Sequence, residues 1–267
     1  MAWLYDMTWQ DVELYLKTKD TIILPVGSTE QHGLHLPLGT DSYVAIQLAE
    51  EAGRRTDTIV ASPLWYGWTP HHMGYTGTAS LKAETLTQVV VDLCESFIYH
   101  GFKKIIVVNG HREANLPPLK IAASKVRNST GAYVAIVDPF YIGDTVAREI
   151  RTSEPGGIGH ADELETSHML YLKPELVDMS KSVKNIPPQG HFHHSDPFVS
   201  ADRLIVPSSV ESNRVAGGPS GVTADPTVAS VEKGKVYHQS VMENFVQAIN
   251  HIAGIPVEIK KIPEVNA

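Results

Sequence analysis

Short apolar runs of strand length alternate along the chain with longer stretches of helical periodicity. The clearest run is 104–109, and similar runs lie at about 21–26, 58–61 and 132–137. An unbroken apolar run is typical of a central strand in a parallel sheet, where helices cover both faces. Strands that alternate with helices therefore predict a three-layer α/β/α sandwich with a mostly parallel central sheet.

Apolar positions spaced three and four residues apart predict the helices. They are expected at about 7–18, 41–54, 83–100, 114–128, 144–151, 162–172 and 227–253. Pro117 and Pro118 fit only the first turn of their helix, because proline lacks the amide hydrogen that later turns require. The stretch 181–226 is rich in Pro, Gly, Ser and His, and it is predicted to be irregular.

Composition narrows the class of protein. The net charge is -8 without a basic stripe, so neither nucleic acid nor an anionic membrane is an expected partner. No run approaches the roughly 20 apolar residues of a membrane span, and the amino terminus lacks a signal-peptide pattern. Cys94 is the single cysteine, which fits a reducing cytoplasm. With 267 residues, 42% of them hydrophobic, one domain spanning 1–267 is expected.

The most informative polar stretch follows the predicted strand at 21–26. A glycine-rich loop carries Glu30 and His32, and Asp41 follows at the start of a predicted helix. In an extended segment, Glu30 and His32 point to the same side because they are two residues apart. A Glu, a His and an Asp this close together are typical metal ligands. The alternative is an ordinary turn in which Thr40 or Asp41 caps the helix.

A second polar cluster follows the strand at 104–109. His111 and Glu113 repeat the two-residue spacing, although alone they also fit a structural histidine and an acid favoured by the helix dipole. Taken with the first loop, two strand ends supply two histidines and three carboxylates. The carboxyl ends of parallel strands lie at one edge of the sheet, where such proteins place their sites. The combined set suits two divalent ions bridged by Asp41.

His160 lies between a run of glycines and the helix predicted at 162–172. One interpretation is a proton shuttle, because a neutral imidazole titrates near working pH. The other interpretation is a loop histidine followed by Glu163 and Glu165 as solvated acids of the first helical turn. The residues alone leave both interpretations open.

Two further stretches carry candidate pocket residues. Trp65, Tyr66, Trp68 and His72 lie in a long aromatic loop and are candidates for the wall of a substrate pocket, with an interface between subunits as the alternative. The histidine-rich segment 191–194 is either a lid, a metal binder or, as we favour, a solvated loop.

These motifs together resemble the creatininase (creatinine amidohydrolase) family. The matching residues are Pro25-Val26-Gly27-Ser28-Thr29-Glu30-Gln31-His32-Gly33, Asn109-Gly110-His111, His160 with Glu165-Thr166-Ser167, and Gly221-Val222 with the residues after it to Gly234. The likeness runs from about residue 20 to 255. It implies a three-layer α/β fold, a binuclear metal centre and, often, a hexamer of identical chains.

The resemblance also implies roles for individual residues. One metal would be held by Glu30, Asp41 and His111, and the other by His32, Asp41 and Glu113. His160 matches the catalytic histidine. Apart from the resemblance, Trp68, His72 and Arg112 are the residues that we expect to bind substrate. The expected ions are Zn²⁺, Mn²⁺ or both, with Fe²⁺ as a further candidate, because histidine and carboxylate ligand sets accept each of them.

Two positions depart from creatininase itself. A tryptophan about four residues before the catalytic histidine is replaced by Gly156, and a second tryptophan is replaced within 138–141. In creatininase these side chains close over creatinine. The departures therefore leave room for a different or larger ring.

The sequence-based hypothesis is hydrolysis of a small, cyclic amide by a hydroxide held between two metal ions, with His160 passing a proton to the leaving nitrogen. Within the family, the alternatives are a formamide deformylase and a hydrolase of cyclic diketones in inositol breakdown. An alternative of another class is a non-catalytic metal-binding scaffold subunit. The expected partner is a small-molecule substrate.

Overall fold

The computed structural model describes residues 3–190, 192, 194, 196–199 and 204–264. Its sheet has four strands: β1 (Thr21–Val26), β2 (Ile59–Val60), β3 (Lys104–Asn109) and β4 (Tyr133–Val137). They are parallel, in the order β2-β1-β3-β4. β1 and β3 pair over their whole lengths, with Val26 opposite Asn109 at the carboxyl end. The segments that leave these two strands therefore start side by side.

Helices cover both faces of this sheet. They are α1 (Trp9–Leu16), α2 (Thr40–Thr56), α3 (Ala83–Tyr99), α4 (Arg112–Thr130), α5 (Pro139–Ile142), α6 (Asp144–Ile150), α7 (Glu163–Leu172), α8 (Val210–Gly217) and α9 (Val231–Ala253). α3 and α4 pack on one face, and α2, α7 and α9 pack on the other. This architecture confirms the predicted three-layer α/β/α fold with a parallel sheet. Within the described part of the chain, no helix is both long and apolar enough for a bilayer crossing.

The period-two pattern of β1 divides the core. Ile22 and Leu24 join the apolar cluster under α3 and α4, whereas Ile23 joins the cluster under α2, α7 and α9. All three side chains are fully buried. Because successive side chains of a strand point to opposite faces, an unbroken apolar run is what a strand covered on both sides requires.

Short helix α5 was not predicted, and α4 and α8 also differ from the sequence-based prediction. α4 begins at Arg112, so Pro117 and Pro118 lie beyond its first turn rather than in it. The helix continues past them because Leu119, among other residues of its later turns, is buried in the core. α8 lies in the stretch 181–226 that was predicted to be irregular, and Ser209 caps it by accepting from the Ser212 amide.

The amino terminus of α2 approaches the ends of β1 and β3 closely. A Cβ atom on Gly27 would lie 2.4 Å from Cα of Ser42, and one on Gly110 would lie 2.1 Å from the backbone oxygen of Asp41. No side chain fits at such distances, so glycine is required at both strand ends. The helix start is thereby held against the edge of the sheet. Gly39, and neither Thr40 nor Asp41, is the N-cap residue.

We predict that Gly110→Ala destabilises the fold by about 1–3 kcal/mol or more, because backbone must move to make room for the methyl group. Gly254→Ala is the control, since its Cβ would meet nothing closer than 3.5 Å. Equilibrium unfolding in urea measures both changes. Equal stabilities of the two variants would contradict the close approach.

Three polar side chains connect the helices on the second face. His168 of α7 lies 3.0 Å from His238 of α9 (Nε2 to Nδ1), and His238 Nε2 lies 2.9 Å from Oε2 of Glu51 in α2. Because a carboxylate only accepts, a neutral His238 donates from Nε2 to Glu51 and accepts at Nδ1 from His168. Burial, together with the neighbouring His238, lowers the pKa of His168 to about 3.

This network should make the fold sensitive to acid. A histidine whose pKa falls from 6.5 to about 3 on folding binds its proton first in the unfolded chain. Its contribution to stability is therefore present above pH 6.5 and is lost as the pH falls towards 3. We expect His168→Gln to lower Tm at pH 7 but to lose less further stability between pH 7 and pH 5 than the wild type. Thermal denaturation at both pH values measures this, with the exposed His251→Gln as the control; an unchanged loss in the His168 variant would refute it.

Candidate metal centre

Polar side chains from several segments meet at the carboxyl ends of β1 and β3. The loop after β1 carries Glu30 and His32, the first turn of α2 carries Asp41, and His111 follows β3. Glu30, His32 and Asp41 are at most 3% exposed, and His111 is 8% exposed. Glu165, from the first turn of α7, lies beside His32 and Asp41. Residues far apart in sequence thus form one buried cluster.

The imidazoles lie between the carboxylates. His32 Nε2 is 3.1 Å from Oδ1 of Asp41, and His111 Nδ1 is 3.2 Å from Oδ2 of the same residue. The other nitrogen of His111, Nε2, is 3.2 Å from Oε2 of Glu30. Asp41 therefore contacts both histidines, which is the position expected of a bridging ligand.

Several of these polar atoms are close to one another without being hydrogen-bonded. Glu30 Oε1, His32 Nε2, Asp41 Oδ2 and His111 Nε2 are buried and have no hydrogen-bond partner. Buried polar atoms are normally paired, so four unpaired atoms in one cluster need an explanation. Ligand atoms of a metal site, which a cation would pair, give that explanation.

The charges of the cluster are strongly coupled. Burial opposes ionisation of Asp41, but His32 and His111 hold the pKa of its carboxyl below the usual range. Burial also opposes protonation of His32, yet the Asp41 carboxylate raises the pKa of that imidazole to about 10. Protons and cations thus compete for the same atoms, as metal ligands must be deprotonated to bind.

The hydrogen bond of His160 determines which ring nitrogen faces the cluster. His160 Nε2 lies 2.7 Å from the backbone oxygen of Gln31, which only accepts, so Nε2 carries the proton. Nδ1 is then the unprotonated nitrogen, 3.8 Å from Oε1 of Glu30. Burial and the neighbouring His32 place the pKa of His160 well below its ordinary value. A neutral imidazole with a free lone pair thus faces the cluster.

Gln31 determines the tautomer of a second histidine. Its Oε1 accepts from the amide of Gly33 (3.0 Å), so its Nε2 donates to Gly221 O and to Nδ1 of His72, both at 3.0 Å. His72 therefore carries its proton on Nε2, which lies 3.5 Å from Oε1 of Glu30. The sequence-based analysis overlooked Gln31, although it lies between Glu30 and His32.

Three groups of side chains have ligand atoms close enough to hold a metal ion. They are Glu30, Asp41 and His111; His32, Asp41 and Glu165; and Glu30, His32 and His160. The first is the set that the resemblance implied for one ion. In the second, Glu165 stands where Glu113 was expected. One oxygen of Glu165, Oε2, accepts from the amide of Ala161 at 2.7 Å.

Glu113 lies apart from these three groups, and its role as a metal ligand stays a prediction. Its side chain is 74% exposed, and Oε1 lies 3.6 Å from Nη2 of Arg112. The prediction assumed an extended backbone, in which residues 111 and 113 point to the same side. The chain instead becomes helical at Arg112, and successive side chains of a helix diverge by about 100°. The sequence left the role of Glu165 open; its place as third residue after the helix cap Asp162 was the available signal.

A cavity of about 300 Å³ opens beside the cluster. Its wall includes Asp41, His111, His160 and Glu165, together with the predicted substrate-binding residues His72 and Arg112. Trp68 is not part of this wall, because it packs against the core under α3 and α4. Its role in substrate binding stays a prediction.

The other candidate pocket residues lie apart from the cavity or only partly within it. Trp65 and Tyr66 are 39% and 53% exposed, and neither lines the cavity. In the segment 191–194, the structure describes residues 192 and 194; His194 lines the cavity, whereas His191 and His193 lie outside the described residues.

The family model described as creatininase, creatinine amidohydrolase, matches residues 5–249. The chain belongs to the creatininase family. It is accordingly a hydrolase of the amidohydrolase type, and the reading as a non-catalytic scaffold is set aside.

Curated and solved members of the creatininase family are similar over most of the chain. A 3-dehydro-scyllo-inosose hydrolase from Thermotoga maritima is 32% identical over 92% of this chain and 82% of its own. The creatinine amidohydrolase of Pseudomonas putida is 27% identical over 81% of this chain and 88% of its own. A solved manganese form of creatininase has the same fold, with a TM-score of 0.78 and 23% identity over 95% of this chain and 99% of that one.

Metal titration can decide whether Glu113 or Glu165 is the ligand beside His32 and Asp41. We expect Glu165→Gln to weaken Mn²⁺ binding by at least the roughly 10–100-fold that is typical for loss of an outer partner of a metal site. Glu113→Gln, a matched change in an exposed neighbour, should bind Mn²⁺ nearly as the wild type does. Isothermal titration calorimetry of the metal-stripped proteins gives the affinities. The reverse ranking would restore Glu113 as the ligand.

Proposed function

We propose that the protein is a metal-dependent hydrolase that attacks a carbonyl carbon of a small cyclic substrate. The observation that carries this proposal is the buried cluster of unpaired carboxylate and imidazole atoms at the mouth of a cavity. A structural cluster would satisfy its polar atoms internally. This one leaves four of them unpaired beside a space large enough for a small ring.

Two divalent ions fit the ligand atoms. Glu30, Asp41 and His111 would hold one ion, and His32, Asp41 and Glu165 would hold the other, with Asp41 shared. The ligand types suit Mn²⁺, Zn²⁺ or Fe²⁺, and the manganese form of a creatininase with the same fold favours Mn²⁺ or a similar ion. When bound, the ions would supply a water of lowered pKa and would polarise the carbonyl group of the substrate.

His160 is placed to move the proton that hydrolysis must transfer. Its Nδ1 would accept a proton from the attacking water and pass it to the leaving atom of the substrate. The bond that forms joins the water oxygen to the carbonyl carbon, and the bond that breaks joins that carbon to the leaving atom. His72 would help to position Glu30, because its protonated Nε2 lies 3.5 Å from Glu30 Oε1.

Two leaving atoms are candidates. A ring nitrogen, as in a cyclic amide, is the candidate that follows from the creatinine amidohydrolase among the relatives. A ring carbon, as in a cyclic diketone, is the second candidate. It is favoured by the inosose hydrolase at 32% identity and by Gly156, where creatininase has a tryptophan over its substrate.

The experiment measures turnover of a cyclic amide and of a cyclic 1,3-diketone by protein reloaded with Mn²⁺ or Zn²⁺. We expect hydrolysis of one of them, lost on chelation and restored by metal. His160→Ala should keep its metal content and lose about 10²–10⁴-fold in kcat, the usual contribution of a general acid–base. His100→Ala, a change of an exposed histidine outside the cavity wall, is the control. An unchanged kcat in the His160 variant would remove it from the mechanism.

A further inference from the structure

Arg112 is held flat against the cavity wall. It is the first residue of α4 and follows His111 directly. Its Cζ lies 3.8 Å from the centre of the Phe140 ring and 5.5 Å from that of Tyr141. The side chain is 23% exposed and lines the same cavity as the metal cluster. Stacking on a ring leaves the nitrogens at the edge of a guanidinium available for other contacts.

Fold stability does not account for this arginine. A cation is unfavourable at a helix amino terminus, where the dipole is positive. The guanidinium donates no hydrogen bond to the described residues, and Nε is buried without a partner. Its ion-pair contact with Glu113, at 3.6 Å, is longer than a hydrogen bond. Side chains that break local rules in this way are typical of functional sites.

The rest of the cavity wall indicates which chemical groups a ligand beside Arg112 would carry. Asp138 is buried close to it and accepts from Asn109 Nδ2 at 3.1 Å and from the Phe140 amide at 3.0 Å. Asn213 also lines the cavity; it is 9% exposed, and its Oδ1 has no partner. Hydrogen-bond donors and acceptors thus both line the cavity. A hydroxyl group, which both donates and accepts, matches such a wall.

The charges of the wall disfavour an anionic ligand. Beside the cluster carboxylates, the wall includes the carboxyl groups of Glu113 and Asp138, whereas Arg112 is the one lysine or arginine among its described residues. A substrate carboxylate next to Asp138 would meet repulsion as well as attraction. A neutral ring with several hydroxyl groups meets no such repulsion.

We propose that Arg112, with Asp138 and Asn213, binds the hydroxyl groups of a neutral, polyhydroxylated ring whose carbonyl lies at the metal centre. This assignment rests on the proposed function for the placement of the carbonyl. Arg112 would be the residue that distinguishes hydroxylated rings from rings without hydroxyl groups. The guanidinium edge offers two parallel N–H groups to two neighbouring hydroxyl oxygens, a geometry that lysine does not reproduce.

The test compares two ligands that share a ring and a carbonyl. Dissociation constants of a pentahydroxycyclohexanone and of cyclohexanone are measured by calorimetry on Mn²⁺-loaded protein. Loss of charged hydrogen bonds in Arg112→Met should raise the dissociation constant of the hydroxylated ring about 10- to 100-fold. Arg112→Lys should show an intermediate increase. Binding of cyclohexanone should stay within about twofold. Arg148→Met is the matched control, because Arg148 also stacks on a ring, that of Phe198 at 4.4 Å, but lies outside the cavity wall.

Three outcomes would overturn the assignment. They are equal losses for both ligands, no preference of the wild type for the hydroxylated ring, and a stronger dependence on Arg112 for cyclohexanecarboxylate. Metal content and Tm of each variant show whether the centre and the fold remain intact. Binding does not require turnover, so the two proposals fail separately. Arg112-dependent binding without any hydrolysis would refute only the proposed function.

Discussion

The close approach of α2 to two strand ends is the constraint on which the site depends. Gly27 and Gly110 have no Cβ, so the backbone at Asp41 and Ser42 can lie against the edge of the sheet. This contact places the Asp41 carboxylate within 3.2 Å of His32 and His111. Any larger residue at either glycine would separate the shared carboxylate from the histidines. The ligand side chains can therefore meet only if the backbone at Gly27 and Gly110 allows this close approach.

Much of the fold and most of the cluster could be predicted from local sequence. Apolar runs identify β1 and β3, and parallel pairing brings together whatever follows them. Glu30 and His111 follow those strands by a few residues, so their meeting is a geometric consequence of the topology. Their position required no knowledge of loop conformation beyond the direction in which each segment leaves the sheet.

The remaining features depend on where one helix begins and on contacts between distant segments. Glu113 was expected to point inward, but α4 begins one residue earlier and turns it outward. Glu165 reaches the cluster because α7 packs beside α2, a tertiary contact that no local pattern encodes. Trp68 lies in an aromatic loop of the kind that often lines a pocket. Its side chain instead packs against the core under α3 and α4, outside the cavity wall. A two-residue spacing predicts that two side chains lie on the same side only where the backbone is extended throughout that segment.

The polar atoms of the centre come from the loop after β1, the start of α2, the end of β3 and the first turn of α7. A cation held by this set would recognise only the native chain, and by mass action it would shift the folding equilibrium towards that state. Supply of the ion in the cell would then govern two quantities at once. It would set the fraction of molecules that are active and, through protection from proteases, the lifetime of each molecule.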